Sequence, residues 1–84
     1  MTITHQIISP LPGIFYRRPA PDIAEFVVEG SEVHRGEVIG LIEVMKQFSE
    51  VTADVDGILR SFHIKNEDFI EPGQIIASIE TSQH

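Results

Sequence analysis

The sequence predicts an all-β fold: a flattened antiparallel sandwich or barrel of two four-stranded sheets related by a pseudo-two-fold axis. Three observations carry that expectation. First, the chain repeats itself: Val27, Gly36, Val38, Ile39, Ile42 and Glu43 have counterparts 37 residues later at Ile64, Gly73, Ile75, Ile76, Ile79 and Glu80, and self-similarity at a fixed spacing implies equivalent structural units. Second, Val38, Gly40, Ile42 and Val44 alternate with Ile39, Leu41 and Glu43, as Ile75, Ala77 and Ile79 do with Ile76, Ser78 and Glu80. This is the period of a pleated strand with one apolar face turned inward. Third, no stretch of a dozen residues keeps a helical period without a glycine or proline to break it.

Eight short strands are expected, near 5–9, 13–18, 31–34, 38–44, 48–54, 57–64, 68–71 and 74–80. Gly13, Gly30, Gly36, Gly57, Gly73 and Pro72 punctuate them and are expected to supply turn conformations. The second strand opens on Gly13-Ile14 and its counterpart opens on Gly57-Ile58, a separation of 44 rather than 37 residues, so the first copy holds seven extra residues between Ile14 and Val27. That interval contains Arg17-Arg18-Pro19-Ala20-Pro21-Asp22, where two prolines withhold backbone donors and forbid a central strand. It reads as an inserted, partly rigid loop. The fourth strand ends at Val44, and the fifth, through Val51 and Ala53, leads into the second copy. Met45-Lys46 is left as a two-residue connection at the seam, although such turns favour Asn-Gly or Asp-Gly. The matching position in the second copy falls at Glu80-Thr81, close to the C-terminus and without a lysine. Isoleucine, valine and phenylalanine from both copies should share one core, so Ile42 and Ile79 should matter more to folding than any exposed charge.

Composition narrows the functional classes. A chain of 84 residues makes a single domain, 1–84 with its core at about 7–80, and has no room for a deep, water-excluded catalytic cleft. The absence of cysteine removes disulfides, thiolate nucleophiles and cysteine-ligated metals. Thirteen acidic against six basic residues give a net charge of −7, which opposes nucleic-acid phosphates and anionic lipid surfaces. No run approaches the roughly 20 apolar residues that cross a bilayer, and Met1–Pro10 is not patterned as a secretory signal, so a cytoplasmic protein is expected. His5, His34, His63 and His84 lack the spacing of common metal sites, and no metal is expected. Asp54 and Asp56 beside Gly57 read as turn residues rather than a catalytic carboxylate pair, and Glu67, Asp68 and Glu71 as a solvated face.

Only Lys46 and Lys65 are available for lysine chemistry, and only Lys46 lies at the seam. Glu43-Val44-Met45-Lys46 resembles the Glu-Ala-Met-Lys signature of biotinyl domains. Ser9-Pro10-Leu11-Pro12-Gly13-Ile14-Phe15-Tyr16-Arg17, followed by Pro19-Ala20-Pro21-Asp22, resembles the segment leading into the thumb loop of the biotin carboxyl carrier proteins of bacterial-type acetyl-CoA carboxylase. The similarity runs from about Ile7 to Glu80, and the seven-residue insertion coincides with the thumb, about 17–24. Three departures are visible. Val44 replaces alanine, Gln47 replaces methionine or leucine, and Arg18 and Ala20 stand where hydroxyl side chains are common.

The resemblance implies a non-catalytic carrier with biotin joined to Lys46 by an amide. A biotin carboxylase would carboxylate the cofactor, and a carboxyltransferase would deliver the carboxyl group to an acyl-CoA, acetyl-CoA for fatty acid synthesis first among the candidates. A biotin protein ligase would load it, with Glu43, Val44 and Met45 as recognition residues. Arg18, Pro19, Ala20, Pro21 and Asp22 would form the thumb. Tethering raises the local concentration of the cofactor at both enzymes without new contacts. Two other readings share the fold. A lipoyl carrier would ordinarily place Asp before the lysine and Ala after it, where this chain has Met45 and Gln47; an unmodified hairpin scaffold would bind a partner along an exposed edge.

Overall fold

The computed structural model describes residues 2–82. The strands are β1 (Thr2–Ile8), β2 (Gly13–Tyr16), β3 (Glu32–Val33), β4 (Val38–Val44), β5 (Gln47–Thr52), β6 (Gly57–Phe62), β7 (Phe69–Ile70) and β8 (Ile75–Ser82). They form two four-stranded sheets, β1-β8-β6-β3 (sheet A) and β5-β4-β2-β7 (sheet B), with every neighbouring pair antiparallel. The two orders superimpose if β5, β4, β2 and β7 are read as β1, β8, β6 and β3. The registers agree residue by residue: Ile14↔Glu43 and Phe15↔Ile42 in sheet B match Ile58↔Glu80 and Leu59↔Ile79 in sheet A.

The short third strand of each copy pairs across the repeat, β7 with β2 and β3 with β6, so each sheet mixes the two copies. The core is accordingly one cluster. Equivalent pairs Ile39 and Ile76, Ile42 and Ile79, and Val33 and Ile70 are all buried, together with Phe15 and Leu59.

Several expectations are corrected. Strict alternation put Ile39 and Ile76 on the face opposite Ile42 and Ile79, yet all four are buried. The reason is a pair of symmetry-related irregularities: the ladder steps from Val38↔Thr52 to Gly40↔Val51, skipping Ile39, and from Ile75↔Ile8 to Ala77↔Ile7, skipping Ile76. One extra residue in a strand reverses facing, so both isoleucines turn inward. Gly13 and Gly57 are also not turn glycines. They open β2 and β6, where a Cβ would collide with the Glu43 or Glu80 carbonyl and stand 2.8 Å from Cγ2 of Ile42 or Ile79.

Strand ends shift as well. β1 starts at Thr2 rather than 5 because Thr2–Thr4 pair with Ser82–Glu80, which also carries β8 past 80. β2 ends at Tyr16 rather than 18, because the Arg17 backbone bonds to Asn66 and Phe26 of the loops, and β6 ends at Phe62 rather than 64. β3 and β7 are two residues each.

Ser9–Pro12 are all that separates β1 from β2, so the Ile8 end of sheet A lies at the Gly13 end of sheet B, where Glu43 and the β4–β5 turn are found. The paired residues Thr2 and Ser82 therefore occupy the opposite end of the sandwich from Lys46.

The remaining singled-out side chains have local partners. Asp56 accepts a hydrogen bond from the Arg35 N–H (2.7 Å), and Asp54 lies 2.8 Å from His5. His34 is 3.7 Å from Glu32, and His63 Nε2 is 2.7 Å from Ser78 Oγ. His84 lies outside the described residues. Glu67, Asp68 and Glu71 are exposed.

Candidate functional site: the lysine hairpin and its thumb

β4 and β5 are joined only by Met45 and Lys46, with Val44 paired to Gln47 on either side. Both turn residues have positive φ, 51° at Met45 and 66° at Lys46. Two successive left-handed residues make a type I′ turn, whose twist matches that of the flanking strands. A residue with a Cβ resists this conformation by roughly 1–2 kcal/mol, which is why Asn-Gly is the usual solution. The register of β4 against β5 imposes it here. Both side chains are driven outward: Met45 is 92% exposed, and none of the ion pairs among the described residues involves Lys46. The strain leads to a simple expectation: Met45→Asn should raise stability by about 0.5–1 kcal/mol in urea titrations, because Asn tolerates positive φ.

The residues flanking the turn divide their duties. Val44 packs against the core cluster and anchors the hairpin. Glu43 is half-buried and accepts a 2.9 Å hydrogen bond from the Tyr16 hydroxyl on the neighbouring strand β2. The Tyr16 ring also meets Phe48 of β5 at 5.9 Å between centroids and an interplanar angle of 58°.

The hydrogen bond to Glu43, and then burial, raise the Tyr16 phenol above its ordinary 10.0, because an ionised phenolate would face a carboxylate. For a raised folded-state value the stabilisation is complete below pH 10 and is lost as pH climbs through the shifted value. Tyr16 is the only tyrosine, so absorbance titration reads it directly. The midpoint should exceed that of a model tyrosine and fall back in Glu43→Gln; an unshifted midpoint would mean the bond is not held in solution.

The inserted loop rises from the end of β2. Its neck is closed by the Phe26 N–H bonded to the Arg17 carbonyl (2.9 Å) and by Arg17 Nε, 3.2 Å from Glu25 Oε2. The Arg17 guanidinium sits 4.1 Å over the Phe62 ring, and its backbone N–H donates to Asn66 Oδ1 (2.8 Å). A further turn joins the Ile23 N–H to the Ala20 carbonyl (3.1 Å). Between loop and hairpin lies a cleft of about 320 Å³, walled by Pro19, Ala20 and Pro21 on one side and by Tyr16 and Phe48 on the other, with Arg18 and Glu67 as its charged residues.

Of the thumb residues singled out in the sequence, Arg18, Pro19, Ala20 and Pro21 line the cleft, and Lys46 lies outside its lining. Asp22 is exposed and does not line the cleft. Tyr16, Phe48, Asn66 and Glu67 were missed. They reach the cleft from three different segments, and only the pairing of β2 with β4 and of β4 with β5 brings two of them together. Lys65 stands on the loop between β6 and β7, away from the hairpin, beside Arg17 and Phe69.

Residues 5–79 match the model of the biotin- and lipoyl-attachment family, described as biotin-requiring enzyme. The chain belongs to this family. A biotin carboxyl carrier protein of acetyl-CoA carboxylase from Porphyra purpurea is 37% identical over 75 residues, covering 89% of this chain and 48% of that protein. One from Streptococcus pyogenes is 40% identical over 72 residues, covering 86% of this chain and 43% of that protein. The chain thus spans about half the length of these curated relatives. Among solved structures, the urea carboxylase of Kluyveromyces lactis contains a similar unit, with a TM-score of 0.75 and 27% identity over 92% of this chain and 6% of that one. Biotin is the family's cofactor, and this biotinyl domain fits it: the hairpin presents a primary amine clear of competing charges, with a partly apolar cleft two residues along β5, about 7 Å away.

Proposed function

We propose that this chain is the biotin-bearing domain of an acetyl-CoA carboxylase carrier, with the cofactor on Lys46. The observation that carries the reading is the type I′ turn of Met45 and Lys46, which places the lysine of Glu43-Val44-Met45-Lys46 at the tip of a rigid hairpin. Bound there as an amide, biotin supplies a ring nitrogen that takes up a carboxyl group and yields it to an acyl-CoA. The chain's own residues present and aim it. β4 and β5 give direction, the lysine side chain gives reach, and Tyr16 fixes the Glu43 carboxylate by a hydrogen bond.

In loading by a biotin protein ligase, the Lys46 amine, once deprotonated, would attack the carbonyl of biotinyl-adenylate, forming the amide as the acyl–phosphate bond breaks and AMP leaves. Met45 is the exposed recognition contact, with Glu43 and Val44 fixing the turn's shape. Arg18, Pro19, Ala20 and Pro21 wall a cleft that would shelter the tethered cofactor, while Asp22 belongs to the thumb's outer turn. The partners are a biotin carboxylase and a carboxyltransferase on separate subunits, and the setting is cytoplasmic fatty acid synthesis. Residues 1–84 act as one attachment domain. Among the described residues no helix is long and apolar enough to cross a membrane.

The test is the intact mass of the chain coexpressed with a biotin ligase and, separately, with a lipoyl ligase. A single biotinyl increment with the first and none with the second is expected; a lipoyl increment alone would replace this reading with that of a lipoyl carrier.

A further inference from the structure

The pseudo-two-fold axis gives each face of the molecule an internal control, because every position on the outer face of sheet B has a counterpart on the outer face of sheet A. The registers match Leu41 with Ser78, Phe48 with Thr4 and Phe69 with Glu32, and they match Tyr16 with Ser61, because the sheet A ladder skips Arg60; Ile14 and Ile58, and Glu43 and Glu80, are alike. Even the hydrogen bond is preserved with its chemistry changed: Tyr16 reaches Glu43 at 2.9 Å where Arg60 reaches Glu80 at 2.9 Å. The same backbone therefore tolerates polar residues at all four positions. Folding does not require sheet B to be aromatic there.

The thumb accounts for only part of the difference. It covers Tyr16 and one side of Phe48, yet Phe48 and Phe69 each remain 58% exposed. They lie on the two outer strands, in one row with Glu43 and Ile14, three strand spacings or about 14 Å apart. Carboxylates outnumber cations around the row: Glu50 lies on the strand of Phe48, and Glu67, Asp68 and Glu71 lie within two residues of Phe69, against Arg17 and Lys65 beside Phe69 and Arg18 beside Phe48. Exposed aromatic side chains inside a polar rim are the composition of a protein contact surface.

We infer that the outer face of sheet B, anchored by Phe48 and Phe69, is the surface on which this chain docks to a protein partner with apolar pockets rimmed by lysine and arginine. The acidic border selects that chemistry, and it repels a second copy, since each chain carries −7. The face flanks the hairpin, so docking through it directs Lys46 toward the partner while sheet A stays in solvent. The proposal rests on the carrier reading only in naming which proteins to test.

The experiment uses the full biotinylated chain, with biotin content first read by intact mass, against the immobilised biotin carboxylase and carboxyltransferase of the same genome. Phe69→Glu and Phe48→Thr install the residues that sheet A carries at the same register, and urea midpoints confirm that both fold. Phe69→Glu should weaken binding to at least one enzyme at least tenfold with biotin content unchanged, and wild-type affinity should fall as salt rises. Glu32→Ala and Gln6→Ala on sheet A should bind as wild type.

Unchanged binding by Phe69→Glu, equal loss from the sheet A variants, or wild-type binding to neither enzyme would overturn the proposal. An effect of Phe48→Thr without one of Phe69→Glu would likewise overturn it, reducing the face to a seat for the tethered ring. A chain that takes up no biotin on coexpression with the ligase yet binds through Phe69 would retain the docking face and refute the carrier reading.

Discussion

Lys46→Arg should abolish biotin incorporation while leaving the fold intact. Arginine keeps the charge and the reach, but its guanidinium does not lose a proton in proteins and so offers no nucleophile to an activated carboxyl group. Lys46 is exposed at the turn and belongs to no ion pair among the described residues, so the substitution should move the urea midpoint by no more than about 0.5 kcal/mol equivalent. Lys65→Arg should load fully, because Lys65 lies on the β6–β7 loop without a two-residue turn to present it. Intact mass and streptavidin blotting check both variants. Biotin persisting in Lys46→Arg would move the attachment site elsewhere and remove the basis of the carrier assignment.

The largest structural effect is expected at the two symmetry-related isoleucines. Ile42 and Ile79 are 1% and 0% exposed, sit in matching registers opposite Phe15 and Leu59, and crowd the glycines that open β2 and β6. Truncation to alanine in such a site costs about 2–5 kcal/mol, through lost transfer energy and the cavity left behind. Small domains lie toward the low end of the usual 5–15 kcal/mol of total stability, so either variant should be partly unfolded near physiological temperature. The two losses should agree to within about 1 kcal/mol in urea melts, since the surroundings are equivalent. Ile42→Ala should also impair biotin loading beyond its unfolded fraction, because Ile42 supports the strand that ends in the lysine turn. Ile79→Ala, on the strand that ends away from Lys46, should lose loading only in proportion to unfolding. A large difference in stability between the two would show that the repeat is uneven in energy despite its matching registers.

Sequence and structure divide at identifiable places. The repeat, the eight strands and the position of Lys46 were legible because they rest on local patterns: apolar spacing, glycine and proline punctuation, and a constant offset between copies. The insertion was legible for the same reason, as seven residues out of step. The facing of Ile39 and Ile76 was not, because a ladder irregularity depends on how two strands align and leaves no mark in the alternation of either. The role of Gly57 was also hidden: its missing Cβ answers to the Glu80 carbonyl, 23 residues away in sequence.

The sequence by itself determined that this protein is a two-fold β structure with one lysine set at the seam of the repeat, since both follow from residue spacing along the chain. Only the tertiary structure decided that the third strand of each copy pairs with the other copy, that Tyr16 ties Glu43, that the thumb faces Phe48 across a cleft, and that one outer face is aromatic while its mate is polar. Those facts depend on which segments come to lie side by side, and pairing between distant strands is set by the mutual burial of the whole core rather than by any local pattern.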